Sequence, residues 1–120
     1  MIEMFGNESM KRFLLLSTLL FPTAVAAEPL WAYVTSAYGF VNISVDLNSI
    51  KTLGDVTYYN ERWKFESGSV SNSTQQLKCA SKRKLFNQAF PEDTHWGYWP
   101  NASADFHTVV SEFVCDAARR

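Results

Sequence analysis

The sequence predicts an α+β fold: an antiparallel sheet of five or six strands, with one C-terminal helix packed on one face and tethered by a disulfide. Three observations predict it. Apolar residues alternate with period two in several short runs between Leu30 and Trp99. The period becomes helical after Pro100, and a lone amphipathic helix needs a sheet face to cover. Two cysteines, Cys79 and Cys115, fall one in each of these regions.

Ahead of the sheet, Met10–Ala27 reads MKRFLLLSTLLFPTAVAA. Lys11 and Arg12 form a basic start, Phe13–Phe21 an apolar centre, and Pro22 with Ala24–Ala27 a break followed by small residues. This is the pattern of a cleaved secretory signal. The apolar run is shorter than the roughly 20 residues a membrane-spanning helix needs. No Cys sits at the cleavage site to carry a lipid. Met1–Ser9 reads as an upstream extension, with Met10 the more natural start. The division is therefore an extension and signal over 1–27 and a single domain over 28–120. The expected location is the periplasm, or secretion to the surface, with no stable membrane insertion after cleavage.

Leu30–Ser36 (LWAYVTS) is aromatic and β-branched, and Ala37-Tyr38-Gly39 is a turn. Phe40–Val45 alternates, with Val41, Ile43 and Val45 on one face and Asn42 and Ser44 on the other. Asp46-Leu47-Asn48-Ser49-Ile50 breaks that alternation, and Asp46 suits the start of a short helical turn. Leu53-Gly54-Asp55 turns the chain into Val56–Phe65, the longest strand candidate. There Tyr59, Trp63 and Phe65 share one face, and Tyr58, Asn60, Arg62 and Lys64 the other. Glu66–Gln76 is rich in Ser, Asn and Gln and reads as a flexible segment or long hairpin loop. Leu77–Ala80 and Lys82–Phe90 read as extended, Pro91-Glu92-Asp93 as a turn, and His95–Trp99 as a short aromatic strand or loop.

Pro100-Asn101-Ala102-Ser103 is a helix-start signal, with Ser103 or Asn101 as the cap. Phe106, Val109, Val110, Phe113 and Ala117 then make one apolar stripe. Cys115 lies in the last turn, and Arg119 and Arg120 suit the negative end of the helix dipole. In an exported chain an even cysteine pair is most simply one disulfide. No C-x-x-C spacing suggests a redox pair. Closing a loop of this length contributes roughly 4 kcal/mol in the chain-entropy model.

Residues 28–120 carry nine Lys and Arg against ten Asp and Glu. That balance does not point to nucleic acid. His95 and His107 are the only histidines, too few for a metal site without convergent carboxylates. No phosphate-binding glycine loop or serine elbow occurs, so no cofactor is implied. A cysteine nucleophile would need a free thiolate, which the disulfide removes. No catalytic set can be assembled, and the expectation is a protein that is not an enzyme. Two features remain as candidate contacts. Lys78, Lys82, Arg83 and Lys84 form a basic patch, and on a strand Lys82 and Lys84 point the same way with Arg83 opposite. It is either a solvated strand face or a surface for an acidic partner or polyanion. Trp96, Tyr98 and Trp99 are either core or a binding edge.

The order of these features resembles the surface-adhesin protein E family of small exported bacterial proteins. The resemblance rests on Asp46-Leu47-Asn48-Ser49-Ile50, similar to an Asp-x-x-Ser-Ile turn, and on the long aromatic strand Val56–Phe65. It rests also on Cys79 leading to basic Lys82, Arg83 and Lys84, and on Pro100-Asn101-Ala102-Ser103 ahead of Phe113-Val114-Cys115. These places cover most of residues 30–115. The resemblance implies a bent antiparallel sheet with a disulfide-held C-terminal helix, a capacity to form homodimers, and, from the founding type, binding of host extracellular and plasma proteins. The expected function is thus an exported protein-binding module whose partner is a host matrix or envelope protein. The alternative is a periplasmic inhibitor or envelope accessory protein, docking through a mobile polar loop over Ser67–Gln76.

Overall fold

A computed structural model describes residues 27–120. The signal sequence over Met10–Ala26 lies outside the described residues. Seven strands form one antiparallel sheet: β1 (Trp31–Ala37), β2 (Val41–Asp46), β3 (Lys51–Leu53), β4 (Val56–Phe65), β5 (Val70–Lys78), β6 (Arg83–Phe86) and β7 (His95–Tyr98). Six run in the order β1-β2-β4-β5-β6-β7, and the short β3 pairs with β4. One helix, α1 (Phe106–Ala118), closes the chain.

Local chemistry explains the path. The β1–β2 turn places Tyr38 at φ 55° and Gly39 at φ 77°. Glycine occupies such a backbone without steric cost. β2 and β3 are two halves of one interrupted strand, since β2 pairs with Glu61–Phe65 and β3 with Val56–Tyr58 of the same β4. The interruption is a 3₁₀ turn at Leu47–Ser49, capped by Asp46 as expected. Asp46 Oδ1 accepts from Asn48 N at 2.9 Å and from Leu30 N at 2.8 Å. Ser49 Oγ donates to Asp46 O at 2.7 Å and accepts from Asn60 N at 2.8 Å. A side chain thus supplies the ladder bond that the missing strand residue would have made.

The core lies between the sheet and α1. It combines Val41, Ile43 and Val45 of β2 with Tyr59, Leu77 and Trp99, and with Phe106, Val110, Val114 and Cys115 of the helix. Phe106 is its aromatic centre, with ring centroids 5.4 Å from Trp63 and 5.6 Å from Tyr38. The Cys79–Cys115 disulfide joins the end of β5 to the helix, with Cα atoms 5.8 Å apart. Among the described residues, the sheet, the single α-helix and the tether agree with the sequence.

Several local expectations fail. The polar segment after Glu66 is no long loop: β5 begins at Val70 and pairs with β4 over eight residues. Its residues are exposed up to Thr74, so no apolar alternation marked it. Cross-strand amides hold it instead, with Arg62 Nε donating to Asn72 Oδ1 at 3.1 Å and Thr74 Oγ1 to Asn60 Oδ1 at 2.8 Å. The mobile loop over Ser67–Gln76 therefore shrinks to a tight turn at Ser67–Ser69.

The strand over Lys82–Phe90 covers only Arg83–Phe86, because Lys82 (φ 55°) and Asn87 (φ 58°) both adopt left-handed backbone. The helix starts at Phe106, and neither Asn101 nor Ser103 caps it; Pro100 and Asn101 belong to a 3₁₀ turn at Trp99–Asn101. In the apolar stripe, Val109 is 44% exposed, while Ser111 and Val114 take the buried positions.

Candidate functional site

The run Lys82-Arg83-Lys84 is split by the start of β6. Lys82 precedes the strand, is exposed, and pairs with Glu112 of α1 at 3.7 Å. Arg83 faces away from the helix and lies 5.5 Å from the Tyr98 ring. Lys84 faces the helix side and is 5% exposed. Lys82 and Lys84 therefore do not form one solvated face. The physical reason is backbone: the left-handed turn at Lys82 breaks the alternation that would have aligned them.

Lys84 belongs to a buried polar cluster. Its Nζ donates to Gln75 Oε1 at 2.8 Å and makes a longer bond to Tyr59 OH at 3.5 Å. Tyr59 OH donates to Glu61 Oε1 at 2.9 Å, and Trp63 Nε1 donates to Glu61 Oε2 at 2.6 Å. A buried phenol thus bridges a buried ammonium and a buried carboxylate. Burial, with the Glu61 charge and hydrogen bond adding to it, raises the Tyr59 pKa well above its ordinary value. Burial lowers the Lys84 pKa, and Glu61 partly offsets that. His107, at the rim, is pushed down to about 4, first by burial and then by the Lys84 cation. A phenol whose ionisation is opposed in this way is a poor base or nucleophile. The cluster ties β6 to β4 through Lys84 and Tyr59 and to β5 through Lys84 and Gln75.

Above this cluster lies an open cleft of about 580 Å³, walled by Trp63, Phe86 and Phe90 and floored by Glu61, Lys84 and Gln75. Among the described residues, no group of three metal-ligating side chains converges. His95 is exposed, and its Nδ1 donates to Asp93 O at 2.7 Å. Its ring stacks on Phe86 at 5.8 Å, and Phe86 in turn lies over Gly97. A Cβ at Gly97 would sit 2.8 Å from that ring, which is why a glycine interrupts the aromatic run.

The aromatic candidates also separate. Trp99 is 1% exposed and belongs to the core. Trp96 and Tyr98 sit on β7, on the face away from the helix. Trp96 carries Lys78 Nζ 4.4 Å above its ring, and Tyr98 is 40% exposed. β7 has a single neighbour, β6, among the described strands. Trp99 N donates to Lys82 O at 3.0 Å, and the register continues through Gly97↔Lys84 and His95↔Phe86. Antiparallel alternation then turns the N–H and C=O of Trp96 and Tyr98 toward the open edge.

Sequence reasoning did not single out Glu61, although its parity with Tyr59, Trp63 and Phe65 placed it on the inner face. It also missed the pairing of Arg62 with Trp31, whose ring lies 4.1 Å from the guanidinium carbon. No family model, curated protein or solved structure matches the chain.

Proposed function

We propose that the protein is an exported, non-enzymatic binding module that engages an extended segment of a protein partner at the open edge of β7. The carrying observation is that edge. It offers the outward backbone groups of Trp96 and Tyr98, flanked by their two rings. Addition of a strand to such an edge gives affinity through main-chain hydrogen bonds and specificity through the flanking side chains. Export is supported by the signal-like sequence and by the disulfide, which belongs to an oxidising compartment. The motif order resembling surface-adhesin protein E supports a host matrix or envelope protein as partner.

The test uses a backbone change that the fold tolerates. Tyr98 has φ −74°, which proline adopts, and its N–H faces outward. Tyr98→Pro should leave thermal melting near wild type and abolish capture of the partner pulled down from envelope extract or matrix proteins. Tyr98→Ala removes the ring alone and should weaken capture less. Equal capture by wild type and Tyr98→Pro would refute edge docking. A mature N-terminus at Ala27 or Glu28, read by mass spectrometry of cell fractions, checks export. A product that retains Met10 would refute it.

A further inference from the structure

The near-balanced charge of residues 28–120 hides a segregation by face. Among the described residues, the sheet has one face under α1 and one uncovered. Strand register puts Lys51, Arg62, Lys64, Lys78 and Arg83 on the uncovered face. Among the described residues two carboxylates share that parity: Asp46, which is buried and accepts from backbone N–H groups, and Glu66, exposed at the end of β4 beyond Lys64, where its N–H donates to Phe40 O at 2.9 Å. The other acids lie elsewhere: Glu28 ahead of β1, Asp55 in a turn at the rim, Glu61 on the inner face, Glu92 and Asp93 in the Pro91 loop, and Asp105, Glu112 and Asp116 at the helix. None of the five cations pairs with a carboxylate among the described residues.

Two further observations bear on what this stripe would meet. Lys78 and Arg83 are directly opposite across β5 and β6. Like charges so placed repel and destabilise the sheet unless a counter-charge joins them. Three of the cations are also positioned on aromatic rings: Arg62 on Trp31, Lys78 on Trp96 and Arg83 on Tyr98. Stacking of this kind fixes a long side chain and lowers the entropy lost on binding. From Lys64 to the level of Lys78 the stripe runs eight residues along β4, about 27 Å at about 3.4 Å per residue. That length suits a polymer and exceeds any single small anion.

We propose that the uncovered sheet face binds an anionic polysaccharide, bearing sulfate or carboxylate groups, along the stripe from Lys64 to Lys78 and Arg83. Between the cations stand Asn60, Thr74 and Gln76, amides and a hydroxyl that match sugar hydroxyls. Protein interfaces instead have apolar centres depleted in charge. Single-stranded nucleic acid needs open ring faces for base stacking, and on this face Arg62, Lys78 and Arg83 lie over Trp31, Trp96 and Tyr98, while Tyr33 stays exposed. The inference does not rest on strand addition at β7, whose affinity comes from backbone groups of the edge, although the Trp96 and Tyr98 rings border both surfaces.

The experiment measures binding of purified mature protein to heparin, to a polyuronate and to neutral dextran, with poly-glutamate and a single-stranded oligonucleotide as competing classes. Heparin or polyuronate should bind and dextran should not. Affinity should fall about tenfold or more as salt rises from about 50 to 200 mM, because exposed charges are screened. The triple reversal Lys64→Glu, Lys78→Glu, Arg83→Glu should weaken binding at least about tenfold, as expected for loss of steering and contact charges. The milder pair Lys78→Gln, Arg83→Gln should melt no lower than wild type and still bind more weakly. Arg119→Glu with Arg120→Glu changes net charge away from the stripe and should leave binding intact. Three results would overturn the proposal: no glycan binding above dextran, equal loss in the Arg119/Arg120 variant, or tighter binding of the oligonucleotide or poly-glutamate than of either acidic glycan.

Discussion

Replacing Lys84 by methionine removes the cation from a buried pair while keeping most of the side-chain volume. The two charges are joined through the Tyr59 hydroxyl by bonds of 3.5 and 2.9 Å, so at a separation of at most about 6 Å Coulomb's law with an effective dielectric near 20 gives about 3 kcal/mol. Glu61 keeps its bonds from Tyr59 and Trp63 after the change, which tempers the loss, while Gln75 Oε1 loses its ammonium donor. Lys84→Met should therefore lower stability by about 2–4 kcal/mol, toward the low side of the roughly 3–5 kcal/mol typical for breaking one side of a buried pair. The partner change Glu61→Gln should also destabilise. The double variant should recover much of the summed loss, because neither charge is then left alone. Urea denaturation of the four proteins measures the coupling, which should be about 1–3 kcal/mol. A Lys84→Met protein within about 0.5 kcal/mol of wild type, or strictly additive losses, would show that the pair is solvated and the reasoning wrong.

Three further outcomes follow from the packing. Cys115→Ser, made with Cys79→Ser to leave no free thiol, should cost about 2–5 kcal/mol in denaturant melts. Phe106→Ala should cost about 3–5 kcal/mol as a core truncation, whereas Val109→Ala, at an exposed position of the same helix, should stay within about 0.5 kcal/mol. The His107 pKa is lowered to about 4, so the unfolded chain binds that proton more tightly. Stability should then fall as pH drops from about 6.5 toward 4, the window between the unfolded and folded values. With solvent screening of this partly exposed ring allowed for, the loss should be about 1 kcal/mol. His107→Gln should remove that part of the acid dependence in thermal melts.

The fold was legible where one face of an element is buried. Val41, Ile43 and Val45 alternate because β2 has a dry side, and the helical stripe is visible because α1 has one too. The same logic hid β5. Its residues from Val70 to Thr74 are exposed, so nothing forced an apolar period on them. Their strand character comes from pairing with β4 and from side-chain bonds such as Thr74 to Asn60. The helix start was misplaced for a related reason. Pro100 and Asn101 do begin a helical turn, but it is a 3₁₀ turn that buries Trp99, and the α-helix begins only at Phe106.

The candidate site was less legible than the fold, because a cluster of lysines in sequence carries no information about face until the strand's first residue is known. Lys78, Lys82 and Lys84 have the same chemistry and three different roles. Lys78 stacks on Trp96 on the uncovered face. Lys82 takes a left-handed backbone and reaches Glu112. Lys84 enters the interior and meets Gln75 and Tyr59. The switch is the 3₁₀ turn at Cys79–Ser81, ended by that left-handed residue. It allows β6 to begin at Arg83 and so fixes which lysine is buried. Net charge is blind to this sorting for the same reason. It sums over both faces of a sheet, and here five of the cations share the face that α1 leaves uncovered. A binding surface made by parity is therefore invisible in composition and becomes readable only once cross-strand register is known.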